Sequence, residues 1–182
     1  MKTKTLALVT AFLSLVPLLV RGGSDFFLEI DGIEGESMDD VHHGAIEIAS
    51  WSLGASNSTD AGGAGGGGGA GKVSFQDLHC TATVSKSSPT LMLFCANGKH
   101  IPKAILHVRK AGTREEYIQY VLEDVMVTSW STSATETPSQ SGSSGDVVPT
   151  DRFSLNFTKV TFAYQPPSEP PVVGTAVIVR PE

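Results

Sequence analysis

Positive charge is scarce in this sequence of 182 residues, in which 13 Lys and Arg stand against 19 Asp and Glu, for a formal net charge of −6. The lysines near the extreme N-terminus form its only basic concentration. Proteins that bind nucleic acids without sequence preference rely on Lys and Arg contacts to phosphates, so this composition predicts no nucleic-acid partner. The length fits one domain with a core of its own and a tail.

Cysteine is nearly absent, with Cys80 and Cys95 the only two. Cys80 falls in an alternating apolar pattern with Leu78, Ala82 and Val84, and Cys95 falls on the apolar side of a predicted helix. Two buried free thiols are therefore the favoured interpretation. A disulfide between them stays open as the alternative, because export from the cytoplasm would permit one.

Recognisable catalytic signatures are missing, since the chain contains neither G-x-S-x-G nor H-E-x-x-H. His42 and His43, beside Asp39 and Asp40, form the one cluster with ligand chemistry. Adjacent loop residues usually point apart, and nothing else supplies a fixed third ligand, so this segment is predicted to be a solvated turn. The other histidines are predicted to lie on a polar outer face: His79, His100 and His107. We therefore predict no catalytic, cofactor-binding or metal-binding residue, and no enzymatic activity.

Glycine is concentrated in one stretch, GGAGGGGGAGK, which runs from Gly62 to Lys72. A nucleotide-binding P-loop requires Gly-Lys followed by Ser or Thr and then a helix. Here Val73 stands in the hydroxyl position, and the following residues VSFQ alternate as a strand does. The stretch therefore predicts a long glycine-rich loop and not a phosphate cradle, and no cofactor is expected.

The N-terminus is predicted to be a signal peptide. Lys2 and Lys4 precede an apolar run, Leu6 to Val20, that is interrupted by a proline and followed by small residues. The run is short for a membrane span, so no stable membrane anchor is expected. Residues 1–22 are predicted to be removed, which leaves a mature chain that begins near Gly23. A retained N-terminal anchor and a wrongly assigned start codon remain the alternatives.

Strand patterns dominate the rest of the chain. Three long runs alternate apolar and polar residues, as strands of a sandwich or small barrel do; they are 104–110, 117–130 and 153–164. Four other runs are also predicted strands, at 26–30, 45–53, 73–84 and 172–179. A bulge is predicted near Ser50, where the second short run changes its apolar face.

One short helix and one polar loop interrupt these strands. Ser88 and Pro89 are typical of an N-cap and a first helical residue, and Asn97-Gly98 is typical of a helix end. The apolar face of the helix is predicted from four side chains: Leu91, Met92, Phe94 and Cys95. The segment Ser131 to Thr150 is polar and has no apolar period, which predicts a mobile loop.

Several long motifs, in order, resemble one known family. They are GGGGGAGKVSFQDLH, SSPTLMLFCANGKHIPKAILHVRKAG (Ser87 to Gly112), YIQYVLEDVMVTSWS and DRFSLNFTKVTFAYQP. The openings FFLEIDGIEGES and IEIASWSLG also look like the first two strands of that family. The resemblance is to the haemolysin-coregulated protein (Hcp) family, the tube subunit of bacterial type VI secretion systems, and it covers roughly Phe26 to Pro166.

The resemblance implies a mainly β fold in which residues 24–182 form a single compact antiparallel β-barrel with one short flanking helix. It implies that the chain is secreted and assembles with itself into homohexameric rings that stack into a tube. Such a tube is expelled with a spike protein at its tip, carries small effectors in its lumen and is propelled by a contractile sheath. These are the implied partners, and no reaction is implied.

The resemblance also gives the glycine-rich stretch a role, as the tip of a hairpin-like arm that projects toward the neighbouring ring. Glycine suits such a tip because it accepts any backbone angle and lets another subunit's backbone approach closely. The implied stacking residues are Gly65, Gly66, Gly67, Gly68, Gly69, Ala70, Gly71 and Lys72. For an isolated subunit, a plain disordered loop is the alternative.

Two features depart from the family pattern. Hcp proteins generally lack a cleavable leader, because the tube is built in the cytoplasm inside the sheath, whereas residues 1–22 look like an export signal. The polar segment Ser131 to Thr150 is also longer than that connection usually is. The alternative function is therefore an exported paralogue that acts as an extracellular binding module outside the secretion tube.

Overall fold

The computed structural model describes residues 23–58, 72–134 and 148–178. Within these ranges the chain forms ten β-strands and one α-helix, and no helix there is long and apolar enough to cross a membrane. The helix, α1, spans Ser87–Asn97. The strands are β1 (Ser24–Ile30), β2 (Ile46–Ser52), β3 (Ala55–Ser58), β4 (Lys72–Phe75), β5 (Leu78–Thr83), β6 (His100–Lys110), β7 (Glu116–Ser133), β8 (Thr150–Asn156), β9 (Lys159–Tyr164) and β10 (Val172–Val177).

Six of the strands close into an antiparallel barrel. Their hydrogen-bonded order is β7-β6-β1-β2-β5-β8, and β8 pairs again with β7 to complete the ring. Closure is possible because β7 is 18 residues long, so that most of the strand pairs with β6 and its last part, from Met126 to Ser133, pairs with β8. The predicted fold class, a mainly β barrel with one short helix, is confirmed.

Alternation along the barrel strands sends every second side chain into the interior. Leu28, Leu78, Leu106, Leu122 and Leu155 are completely buried there. Leu28 lies opposite Leu106 on the neighbouring strand, and Leu78 lies opposite Leu155. Full burial stabilises the fold by about 1.5–3 kcal/mol for each leucine, relative to an exposed side chain. This layer of leucines therefore holds adjacent strands together from inside the barrel.

β2 carries the predicted bulge. Its register against β5 shifts between Ile48 and Ser50, which confirms the expectation from the change of apolar face. Ile46 and Ile48 point into the core, whereas Trp51, beyond the bulge, is only half-buried. The extra residue turns the later part of the strand so that its large side chain leaves the interior.

β9 and β10 lie outside the ring of six strands. β9 pairs with the first half of β7, on the edge opposite β6, and β10 pairs with β9. Over the described ranges, no strand pairs with the far edge of β10. The barrel therefore continues into a short flap whose outer strand is unpaired.

The helix begins earlier than predicted. Ser87 is its first residue and Lys86 holds the N-cap position, so Pro89 lies within the first turn and not at its start. The Ser88 hydroxyl does not cap the helix; it accepts a hydrogen bond from the backbone N–H of Ser85 at 3.0 Å. The prediction of Ser88 as the N-cap is therefore wrong, because its hydroxyl hydrogen-bonds within the turn that precedes the helix.

The end of the helix agrees with the prediction, and its apolar face agrees except at Met92. The helix ends at Asn97, and Gly98 follows with φ of 60°, from where its backbone N–H donates to the carbonyl of Phe94. Leu91 is fully buried, as predicted, whereas Met92 is exposed and the prediction for it is wrong. The helix packs on the barrel through a narrow stripe, because it flanks the barrel and does not enter it.

The run 73–84, predicted as one strand, is divided in two. The break falls between β4 and β5, where the backbone N–H of Gln76 donates to the carbonyl of Gly54 at 2.8 Å. The next residue, Asp77, accepts a hydrogen bond from the side chain of Asn156 at 2.7 Å. These contacts come from distant parts of the chain, so the alternating pattern of the run could not reveal the break.

The run 153–164, also predicted as one strand, is likewise divided, into β8 and β9. The break falls at residues 157 and 158, where the backbone N–H of Thr158 donates to the carbonyl of Glu123 on β7 at 3.1 Å.

Both cysteines are free thiols, as the favoured interpretation predicted. Cys80 is buried between strands, and this burial raises the pKa of its thiol to about 12. Cys95 is only half-buried on α1, so full burial was predicted correctly for one thiol of the two.

The polar segment predicted as a loop is shorter than expected at both ends. Ser131, Ser133 and Thr150 belong to β7 and β8, and Ser133 lies opposite Thr150 in the last pair of that ladder. Residues 135–147 lie outside the described ranges, as does the predicted signal segment 1–22.

Candidate functional site

The glycine-rich stretch is entered and left through a separate two-stranded hairpin of β3 and β4. Its pairs run from Ala55 opposite Phe75 to Ser58 opposite Lys72. The predicted site residues Gly65–Gly71 lie outside the described ranges, and only the backbone of Lys72 is described. The structure brings the two ends of the stretch together, which is the arrangement that a hairpin-like arm needs.

The root of this hairpin is fixed, whereas its strands are exposed. Gln76 and Gly54 are joined by the backbone hydrogen bond that separates β4 from β5. Phe75 is half-buried and meets Phe157 edge-on, with ring centroids 6.3 Å apart. Val73, two residues further out, is half exposed. The hairpin is therefore anchored on the barrel at its root, and the rest of its two strands is accessible to another molecule.

A second exposed surface lies on the flap of β9 and β10. Val172, Val173 and Val177 are between 58% and 67% exposed, and Phe162 and Tyr164 on β9 are more than one third exposed. This apolar surface coincides with the unpaired edge of β10. Soluble proteins usually blunt such edges with charge, so an apolar unpaired edge is typical of a surface that contacts another chain.

A loop covers the outer side of β1 and β6. This covering loop, residues 34–44, is closed at its base by two backbone hydrogen bonds, from Gly35 N–H to Gly44 at 2.7 Å and from Ser37 N–H to Ala45 at 3.0 Å. Gly44 adopts φ of 77°, and a Cβ on Gly35 would collide with the backbone of Ala45. Both glycines therefore fix the path by which the loop returns across the barrel.

The covering loop inserts His42 against the barrel, so the prediction of a solvated turn is wrong for this residue. His42 is 3% exposed, and its ring stacks on Phe27 with centroids 4.8 Å apart. Asp39 accepts hydrogen bonds from the backbone of the turn, including the N–H of His42. The tight turn separates the two adjacent rings, and His43 stays exposed.

His107 lies on the outer face of its strand, as predicted, but it is not exposed. It lies opposite Phe27 on β1, and the ring of His42 covers it at a centroid distance of 4.4 Å. His107 is consequently only 7% exposed. The predictions for His79 and His100 are confirmed, because both side chains are exposed.

Two glutamates contact these two imidazole rings. Glu116 places one carboxylate oxygen 3.0 Å from His42 Nε2 and the other 2.8 Å from His107 Nδ1. Glu29 places its Oε1 3.0 Å from His42 Nδ1 and 3.8 Å from His107 Nε2. The four side chains come from β1, the covering loop, β6 and β7, and form one cluster, hereafter the histidine cluster.

A buried ion pair lies beside the histidine cluster. The guanidinium of Arg109 donates to both carboxylate oxygens of Asp39, at 2.9 and 2.6 Å, and rests over the ring of Phe27 at 4.7 Å. Its hydrogen bond holds the pKa of Asp39 well below the usual range, and the same contact raises the pKa of Arg109. The pair fastens the covering loop to β6.

The sequence contained part of the signal for this cluster. Alternation in FFLEI places Phe27 and Glu29 on the outer face of β1, and alternation in AILHVRK places His107 and Arg109 on the outer face of β6. The pattern that could have indicated the cluster is the placement of Glu29, His107 and Arg109 at outward positions of two strands. The docking of His42 onto them could not be found, because it depends on where an irregular loop returns.

Comparison with known proteins gives a consistent result. The family model described as "Type VI secretion system effector, Hcp" matches residues 27–164. "Protein hcp1" of Pseudomonas aeruginosa is 43% identical over 144 residues, which cover 78% of this chain and 83% of that protein. The segment that matches the family model contains the barrel, the β3–β4 hairpin and most of the covered outer face.

Solved structures agree with this assignment. The structure of Hcp1 from Salmonella typhimurium has a TM-score of 0.64 and 34% identity, and the match covers 85% of this chain and 95% of that one. A type VI secretion system effector from Yersinia pestis also has a TM-score of 0.64, at 27% identity, with 85% and 100% of the two chains covered. The chain therefore belongs to the Hcp family of type VI secretion system proteins.

Proposed function

We propose that the described domain is a tube-forming subunit that assembles as hexameric rings, that these rings stack, and that the tube is secreted with effectors in its lumen. The proposal is carried by the family model, which spans nearly the whole described domain, from residue 27 to residue 164. A spike protein at the tip and a contractile sheath are the further partners that membership of this family suggests.

The exposed flap supports assembly within a ring. A ring forms when one patch of a subunit meets a different patch of its neighbour and the rotation closes. The unpaired edge of β10, which includes the exposed Val173, gives each subunit one apolar patch that a neighbouring barrel can cover. Covering it would bury valine side chains and satisfy backbone groups of the edge strand at the same time.

The β3–β4 hairpin supports stacking along the tube axis. Its root is held by Phe75 and Gln76, while its strands are exposed. The glycine-rich stretch that it carries has no large side chains to obstruct a neighbouring backbone. We assign Gly65–Lys72 to contacts between successive rings.

Light scattering and electron microscopy of residues 24–182 at micromolar concentration test the proposal. We expect hexameric rings, and we expect Val173→Lys to shift the population toward monomers, because a lysine at the covered edge would be buried without a partner. Val41→Lys is the matched control, since Val41 is 51% exposed, close to Val173 at 58%, but lies in the covering loop. A strictly monomeric wild-type domain at high concentration would contradict the proposal.

A second candidate function rests on the N-terminal segment. The apolar run Leu6 to Val20 suits an export signal, and a subunit exported ahead of assembly would not meet a cytoplasmic sheath. The domain would then act outside the cytoplasm as a binding module. Family membership favours the tube, and both candidates share the same folded domain.

A further inference from the structure

We propose that Glu29, His42 and His107 bind a divalent transition-metal ion, with Zn²⁺ the best fit, and that the ion fastens the covering loop to the barrel. The ligand atoms offered by these three residues all lie within 4.8 Å of one another. This inference is independent of the proposed assembly, because every residue in the site belongs to one chain and to the described ranges.

Glu116 determines which nitrogen of each imidazole ring carries no proton and can bind a metal ion. An ionised carboxylate can only accept hydrogen bonds, so His42 Nε2 and His107 Nδ1 must both carry the proton that they present to Glu116. A neutral imidazole has one N–H, so the remaining nitrogens, His42 Nδ1 and His107 Nε2, bear lone pairs. Both of these nitrogens face the carboxylate of Glu29.

Two lone pairs and a carboxylate facing one another require a positive charge between them. A proton on His42 Nδ1 would satisfy the 3.0 Å contact with Glu29, but it would leave His107 Nε2 without a partner at 3.8 Å. That nitrogen is buried and has no hydrogen-bond partner in the structure. A metal ion satisfies all three atoms at once, which a single proton cannot do.

The spacing and chemistry of the ligands select the ion. In a tetrahedral zinc site with bonds of about 2.0–2.1 Å, neighbouring ligand atoms lie about 3.3 Å apart. The distances of 3.0 and 3.8 Å from Glu29 to the two histidine nitrogens lie on either side of this value. Two imidazoles and one carboxylate suit Zn²⁺, Co²⁺ or Ni²⁺, whereas Mg²⁺ and Ca²⁺ prefer oxygen ligands alone.

The surroundings match a zinc site in three further respects. Glu116 accepts the other N–H of both rings, and such carboxylates orient histidine ligands and strengthen their binding of metal. The nearby positive charge of Arg109 is already paired with Asp39 and Asp25 and does not reach the two glutamates. Glu29 is 46% exposed, which leaves a path from solvent and room for water as the fourth ligand.

Titration of metal-free protein, purified without a histidine tag, tests the site. We expect one Zn²⁺ per chain with micromolar or tighter affinity, a higher melting temperature, and tetrahedral visible absorption bands when Co²⁺ replaces Zn²⁺. His107→Gln and Glu29→Gln should each weaken binding at least tenfold, since each removes a ligand. Glu116→Gln should weaken binding by about 10–100-fold while the Co²⁺ spectrum persists, as expected of a residue that positions the ligands.

The matched control is His43→Gln, which removes an exposed imidazole adjacent to His42 and should leave the affinity unchanged. Circular dichroism establishes that each variant is folded, and Glu29→Gln covers the case in which His107→Gln does not fold, because Glu29 is partly exposed. Absence of Zn²⁺ binding to the wild-type protein at 100-fold molar excess would overturn the proposal. Equal affinities for the wild type and Glu29→Gln would overturn it as well.

Discussion

Arg109 shows how a charged residue can be buried on the outside of a barrel. Arg109 occupies an outward position of β6, so its side chain points away from the core. The covering loop and the ring of Phe27 nevertheless enclose this side chain, which is only 6% exposed. A buried guanidinium is tolerated only when its charge and donors are matched, and Asp39 supplies a bidentate carboxylate. This pair is therefore one of the contacts that dock the covering loop on the barrel.

The pair makes the docking sensitive to acid. The pKa of Asp39 is lowered in the folded state, so this group adds stability above its unfolded pKa of about 4, and the stability is lost as the pH falls further toward the folded pKa. We expect Asp39→Asn to melt well below the wild type at neutral pH, and the gap to narrow below about pH 4. Melting curves of both proteins from pH 7 to pH 3 measure this gap; a gap that does not change with pH would contradict the assignment.

At the scale of elements, the strands fall into two groups. The six barrel strands share one buried core and are paired on both edges. β3, β4 and β10 instead pair with a single neighbour each and present exposed residues such as Val73 and Val177, and β9 joins β10 to the barrel. The barrel strands therefore contribute most of the free energy of folding, whereas the strands outside the barrel can change their contacts without unfolding it.

Replacement of Gly65 to Gly69 by alanine tests this division. We expect the melting temperature of the isolated domain to change by no more than about 2–4 °C, because the proposed arm tip would not belong to the core and glycine has no side chain to pack there. Stacking of rings should weaken, because alanine restricts the backbone angles that contact between rings requires. Thermal melts and electron microscopy of filaments separate the two effects; a sharp fall in melting temperature would mean that the stretch belongs to the core.

At the scale of the whole molecule, the fold is compatible with a role inside the cytoplasm and with a role outside it. The barrel, the hairpin and the covered outer face all lie within residues 23–178, and the N-terminal segment is separate from them in sequence. The same folded domain can therefore serve a tube assembled in the cytoplasm or a module that acts after export. Only the fate of residues 1–22 distinguishes the two.

A fusion of Met1 to Ser24 with a reporter that is active only outside the cytoplasm measures that fate. The signal-peptide hypothesis predicts an active reporter and a mature chain that begins near Gly23, because the apolar run is long enough for export and too short and proline-broken for a stable span. This outcome would favour the exported module. An inactive reporter, with native protein that begins just before Ser24, would contradict the signal peptide and leave the tube as the remaining candidate.

The sequence alone determined the fold class and the family of this protein. Strict alternation in 104–110 and 117–130 specifies two long strands, and a closed barrel satisfies their edges. The alternating run 153–164 did not reveal that it is divided into β8 and β9, which pair with different parts of β7. The helix end at Gly98 and the bulge near Ser50 were also predictable, because each depends on residues within a few positions. Features of this kind can be predicted from sequence because they depend only on residues that are close together in the chain.

The places where the polar residues of the outer face meet depend on the three-dimensional fold and not on local sequence. Glu29 and His107 were identifiable as outward positions, but their distance from His42 depends on an irregular loop with no period in its sequence. The same holds for the break at Gln76, which a partner from another segment creates. Contacts between residues far apart in the chain follow from closure of the barrel and return of the loop, and neither leaves a local pattern to read.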